Sequence, residues 1–170
     1  MDFREVTEFI KDTGKYIIFI VAVIIIFNYV ISFQGVMGTS MDPTFKENDL
    51  VFVSKFHYVF NKVKRGEVII FEYKNTKNVI KRVIGLPGEQ IVYKNNILYI
   101  NGTAYKDIYS GTTITSSFDS GIIPDKCYWV MGDNRETSVD SRVIGPVCED
   151  NIKGKVVYRF WPLNKAGSVK

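Results

Sequence analysis

From Tyr16 to Phe33 the chain runs YIIFIVAVIIIFNYVISF, 18 residues without a formal charge. As a helix this stretch spans roughly 27 Å, enough to cross the hydrocarbon core of a bilayer. A surface helix of that length would show a polar face, and only Asn28 and Ser32 interrupt the apolar character here. A cleavable leader would have a shorter apolar stretch followed by a small-x-small site, which does not follow. The segment therefore predicts a transmembrane anchor over 16–33. Arg4, Lys11 and Lys15 precede it and only Lys46 lies in the comparable stretch after it. By the excess of basic residues, 1–15 should be cytoplasmic and 34–170 should face outward, a single-pass arrangement.

Beyond the anchor the pattern is β. Runs rich in β-branched and aromatic residues occur at 50–53, 67–73, 79–84, 90–93, 97–100, 127–131 and 155–160. Asn95-Asn96, Asn101-Gly102 and Leu86-Pro87-Gly88 punctuate them as turns. A chain of 170 residues allows one ordinary domain with a real core beside this appendage. The expectation is a mainly β, antiparallel domain over 34–170, with a small insertion at about 89–125 whose polar stretch 110–120 reads as a loop or weak edge strand. The net charge of +4 is spread along the chain and indicates no nucleic-acid partner. Lys62, Lys64 and Arg65 read as a solvated turn. Cys127 and Cys148 show no metal-ligand spacing and are too few for a disulfide scaffold, so they read as free or merely structural thiols.

Three segments carry chemistry: Gly38-Thr39-Ser40-Met41-Asp42-Pro43-Thr44, Val79-Ile80-Lys81-Arg82-Val83-Ile84-Gly85, and Gly132-Asp133-Asn134-Arg135-Glu136-Thr137-Ser138-Val139-Asp140-Ser141-Arg142. A serine hydroxyl needs a base to take its proton, and the familiar base is histidine. The sole histidine, His57, sits among aromatics in Lys55-Phe56-His57-Tyr58 and reads as a packed or surface imidazole. A lysine at its reference value near 10.4 would be protonated at neutral pH and useless as a base. In a strand, however, Lys81 emerges between Val79 and Val83, and desolvation on such a face disfavours the ammonium.

In this order, behind an apolar anchor, the three segments resemble the bacterial type I signal peptidases from about Val36 to Pro162. The resemblance implies a membrane-anchored serine endopeptidase that cuts signal peptides from exported preproteins after small residues of Ala-x-Ala type. Its β-sheet catalytic domain would use a Ser40/Lys81 dyad and an acyl-enzyme, with no cofactor and no metal. Its partners would be exported preproteins and membrane lipid. It also implies that Ser138 orients the Lys81 amine by a hydrogen bond, that Asp140 and Arg142 hold that loop, and that Asp133 pairs with Arg82. Val36, Met41 and Ile80, with help from Phe45, would shape shallow pockets for the substrate. Some members place a serine hydroxyl as oxyanion donor two positions before the nucleophile; Gly38 stands there in this chain. Two other classes fit parts of the pattern: an anchored, non-cutting assembly factor for exported subunits such as pilins, and the self-cleaving Ser/Lys repressors of the DNA-damage response. Retention of both Ser40 and Lys81 argues against the first, and the apolar run in place of a DNA-binding helix pair against the second.

Overall fold

The computed structural model describes residues 3–25, 30–74, 77–110 and 116–169. An N-terminal helix α1 (Phe3–Ile25) precedes a β-rich body. Strands β1 (Ile31–Gly35), β2 (Leu50–Ser54), β3 (Val68–Tyr73) and β4 (Lys77–Gly85) come first, with a one-turn helix α2 (His57–Phe60) between β2 and β3. Next come β5 (Gln90–Lys94), β6 (Ile97–Ile100), β7 (Thr103–Tyr105) and β8 (Phe118–Ile122). The chain closes with β9 (Cys127–Met131), α3 (Ser141–Ile144), β10 (Val147–Cys148), β11 (Ile152–Trp161) and β12 (Gly167–Ser168).

Two sheets result. The larger has the order β1-β2-β11-β3-β4-β9-β10, with β12 against β11, and the smaller has the order β7-β6-β5-β8. Every described strand pair is antiparallel. Register shifts in β11 opposite β2 and β3 bend the larger sheet, as bulges do. Its curl brings Gln34 and Val36 to the same cavity as Asn78 and Ile80, although β1 and β4 are separated by three strands. Val36, Met41, Phe45, Val51, Val53, Ile70, Ile80 and Val156 pack together as the core beneath that cavity.

The far end of the expected anchor and the state of the two cysteines are corrected. No helix among the described residues is long and apolar enough to cross a membrane. Residues 26–29 of the expected 16–33 anchor lie outside the described residues, and Ile31–Phe33 belong to β1, paired with Ser54, Val53 and Phe52. The aromatic Phe33 ring packs against Phe52 at 4.6 Å and Phe160 at 5.4 Å. Cys127 and Cys148 are also not free thiols. They face one another across the β9–β10 pair and are joined as a disulfide.

Candidate active site

Lys81 stands in β4 opposite Ile69, which is itself buried. Strand alternation sends Lys81 and Arg82 to opposite faces, and both are buried, at 3% and 1% exposure. Ser40 lies in the turn between β1 and β2. The Lys81 Nζ reaches its Oγ at 2.5 Å across 41 residues of sequence. Burial pushes the Lys81 ammonium from 10.5 down to about 8; Asp140 and Asp133 pull the other way, and Arg142 adds to the lowering. Two carboxylates thus act on a lysine whose strand neighbours are apolar, and burial outweighs them. His57 lies elsewhere, its Nε2 3.9 Å from Glu67.

The nucleophile turn is held by the segment after β9. The Asn134 amide donates to the Ser40 carbonyl at 3.1 Å, and its side-chain amide donates to the Thr39 carbonyl at 3.2 Å. Gly132 is required at this approach, because a Cβ there would run into both the Ser40 carbonyl oxygen and the Ser138 hydroxyl. Asp140 accepts from the Gly132 amide at 2.9 Å and from the Arg142 guanidinium at 2.8 and 2.9 Å, and it caps α3. The expected orienting bond from Ser138 to Lys81 is not formed. Ser138 Oγ is buried without a hydrogen-bond partner, while its carbonyl accepts from Arg142 at 3.4 Å.

On the opposite face of β4, Arg82 pairs with Asp133 through two hydrogen bonds of 2.9 and 2.7 Å. The pair is fully buried, and such charges persist only when every donor and lone pair is engaged. Thr44 donates to the Asp133 carboxylate at 2.5 Å, the Gly66 carbonyl accepts from Arg82 at 2.7 Å, and the Tyr109 ring covers the guanidinium at 4.1 Å. Arg135 donates to the Gly132 carbonyl at 2.8 Å and pairs with Asp107. Sequence reasoning missed Thr44, Asp107, Tyr109, Asn134 and Arg135 as supports. Thr44, Asn134 and Arg135 were visible inside the first and third segments, but Asp107 and Tyr109 lie where no local pattern marks them.

Beside Ser40 and Lys81 opens a cavity of about 130 Å³, lined by Gln34, Val36, Met41, Asn78 and Ile80 among others. The expected pocket residues Val36, Met41 and Ile80 thus meet at the dyad, each nearly buried and forming its floor. Phe45 packs in the core behind them. Over Lys77–Lys81, β4 is paired among the described residues with β3 alone, since its pairing with β9 begins at Arg82. Among those residues one strand edge therefore runs unpaired along the cavity toward the nucleophile.

Among known proteins, the chain is 38% identical to signal peptidase IB of Staphylococcus aureus (strain Mu50 / ATCC 700699) over 177 aligned positions, covering 91% of this chain and 93% of that protein. It is 37% identical to signal peptidase I of Bacillus caldolyticus over 151 positions, covering 81% and 83%. The crystal structure of a signal peptidase I from Enterococcus faecalis V583 superposes with a TM-score of 0.51 at 32% identity, covering 56% of this chain and 97% of that one. The sequence profile described as "Signal peptidase, peptidase S26" matches residues 7–161, a span that contains Ser40, Lys81 and the whole segment supporting them. A serine and a buried lysine in contact beside an open strand edge thus sit in a chain that belongs to the signal peptidases of peptidase family S26.

Proposed function

We propose that Ser40 and Lys81 perform the signal-peptide cleavage of this serine endopeptidase, on exported preproteins delivered at a membrane. The observation that carries this reading is the 2.5 Å contact between Lys81 Nζ and Ser40 Oγ in a buried setting that lowers the lysine from 10.5 to about 8. With the amine neutral, the Ser40 hydroxyl donates its proton to Lys81 as Oγ attacks the scissile carbonyl carbon. The oxyanion is met by the Ser40 backbone amide, with a second donor from backbone or water, since Gly38 offers no hydroxyl. Lys81 then passes the proton to the leaving amine, which departs and leaves an ester on Ser40. Water attacks that ester and gives a proton to Lys81; the bond from the acyl carbon to Ser40 Oγ then breaks, Lys81 returns that proton to Oγ, and the acyl product leaves as a carboxylic acid. Asp140, Arg142, Asp133 and Arg82 keep the dyad in place, and no step calls for a cofactor.

Small residues at the first and third positions before the cut would fill the cavity over Val36, Met41 and Ile80. At about 130 Å³ it is well below the roughly 300 to 1,000 Å³ of ordinary ligand pockets, so it suits methyl-sized side chains. The substrate would lie extended along the free edge of β4. Attachment to the cytoplasmic membrane, with residues 1–15 inside and the β domain outside, is supported by the apolar run and its basic flank. It is supported too by α1, whose Tyr16, Ile17, Ile18, Phe19 and Ile20 are exposed at 55–71% rather than packed on the body. The test is cleavage of an Ala-x-Ala peptide by the full chain in detergent micelles. Ser40→Ala and Lys81→Ala lose nearly all activity with the fold intact, and His57→Ala remains active; a dead histidine variant beside an active lysine variant refutes the dyad.

A further inference from the structure

We infer that Asp107, in the small insertion, is a positioning residue for catalysis: it fixes Arg135, Arg135 fixes the Gly132 carbonyl, and Gly132 seats the Ser40 turn. The inference rests on the peptidase reading above. After β7 the chain leaves the small sheet as a strap over 105–109. Tyr105, Asp107 and Tyr109 are half-buried while Lys106 and Ile108 between them are exposed, the alternation of an extended chain. Each half-buried side chain meets an arginine. The Tyr105 ring lies 5.6 Å from the Arg65 guanidinium, Asp107 pairs with Arg135, and the Tyr109 ring lies 4.1 Å from that of Arg82. Asp107 also accepts from the Tyr109 amide at 3.1 Å, so one carboxylate serves two of these three contacts.

The middle contact leads to the nucleophile. The Arg135 side chain is fully buried, and Asp107 is the carboxylate paired with it. One nitrogen of its guanidinium has no hydrogen-bond partner among the described residues, so its orientation depends on the other two. Nε donates to the Gly132 carbonyl at 2.8 Å, while Asp140 accepts from the Gly132 amide at 2.9 Å. Both sides of Gly132 are thus held by charged groups. Between them its Cα lies so close to the Ser40 carbonyl that a Cβ would collide with it.

Removing the Asp107 charge leaves Arg135 a buried cation without its paired carboxylate, an arrangement that burial disfavours strongly. The guanidinium then turns toward water and releases the Gly132 carbonyl. Gly132 is left held on its amide side alone, and the turn that carries Ser40 gains freedom. Oγ is then less often aligned with the scissile carbonyl, a loss that falls on the chemical step. Substrate binding is spared, because neither Asp107 nor Arg135 lines the cavity at the dyad.

The experiment uses the full-length protein in detergent micelles with an Ala-x-Ala peptide, and measures kcat per folded molecule. Asp107→Asn is expected to lower kcat about tenfold with KM unchanged, because the nucleophile is misplaced and the pocket is not. Asp107→Glu keeps the charge and should bring kcat back to within about threefold of wild type. Ile91→Val is the control for stability alone: it thins the core of the small sheet and should leave kcat within about twofold of wild type. Hydrogen exchange of the Asn134 amide, which donates to the Ser40 carbonyl, follows the turn independently of activity. It should be faster in Asp107→Asn and unchanged in Ile91→Val. Wild-type kcat in Asp107→Asn, an equal loss in Ile91→Val, no recovery in Asp107→Glu, or unchanged exchange at Asn134 in Asp107→Asn each overturns the positioning role. If wild type cuts no Ala-x-Ala peptide, the peptidase reading falls, and the catalytic role of Asp107 with it.

Discussion

Replacing Lys81 by methionine should abolish cleavage and at the same time make the folded protein more stable at neutral pH. Lys81 is buried against Ile69 and titrates at about 8 instead of 10.5. That difference corresponds to about 3 kcal/mol held against the fold whenever the amine is charged. Methionine keeps the length of the stem without the charge and gives up the contact to Ser40, a loss of about 1 kcal/mol. The net gain of about 2 kcal/mol should raise Tm by about 4 to 8 °C. The sign follows from proton binding. The folded value lies below the unfolded one, so below pH about 8 both states are protonated and the full penalty stands. Between about 8 and 10.5 only the unfolded chain carries the proton, and wild-type stability climbs with pH. Above 10.5 the penalty is gone and the variant should fall slightly below wild type. Urea unfolding of both full-length proteins in micelles, followed by circular dichroism at pH 6.5 and again near pH 10.5, measures the difference. A variant less stable than wild type at pH 6.5, or a difference that does not change across that range, refutes a lysine whose charge is penalised by burial.

Three further outcomes follow from the same geometry. Under conditions where chemistry limits the rate, kcat/KM should fall about tenfold per pH unit below about 8 and level off above it, because the base works only as the neutral amine; a flat profile contradicts it. Gly132→Ala should cut activity by about 100-fold with secondary structure intact in circular dichroism, since the new methyl displaces the Ser40 carbonyl and shifts the nucleophile. Tyr109→Ala should destabilise the protein to urea by about 1 to 2 kcal/mol by uncovering Arg82, with Tyr109→Phe restoring most of the loss because the ring is what covers the guanidinium.

Local chemistry determined much of this protein. Period-two runs of β-branched and aromatic residues are set by neighbours in the chain, which is why 50–53, 67–73, 79–84, 90–93, 97–100, 127–131 and 155–160 could be read as strands and are found as such, with small shifts at their ends. The motif spacing around Ser40, Lys81 and Gly132 likewise identified the family. Strand pairing across long separations was beyond local reading: β11 inserts between β2 and β3, and the resulting curl sets Gln34 and Val36 opposite Asn78 and Ile80. The same holds for Ile31–Phe33, apolar enough for a membrane yet held by the sheet, and for Cys127 and Cys148, which become partners only because β9 and β10 align them. Asp107 and Tyr109 support the site from a loop whose composition says nothing about what they will touch. Even the lysine's chemistry is tertiary. Its residue type and strand position came from the chain, but the desolvation that makes it a base exists only once Ile69, Ser40 and the segment after β9 close around it.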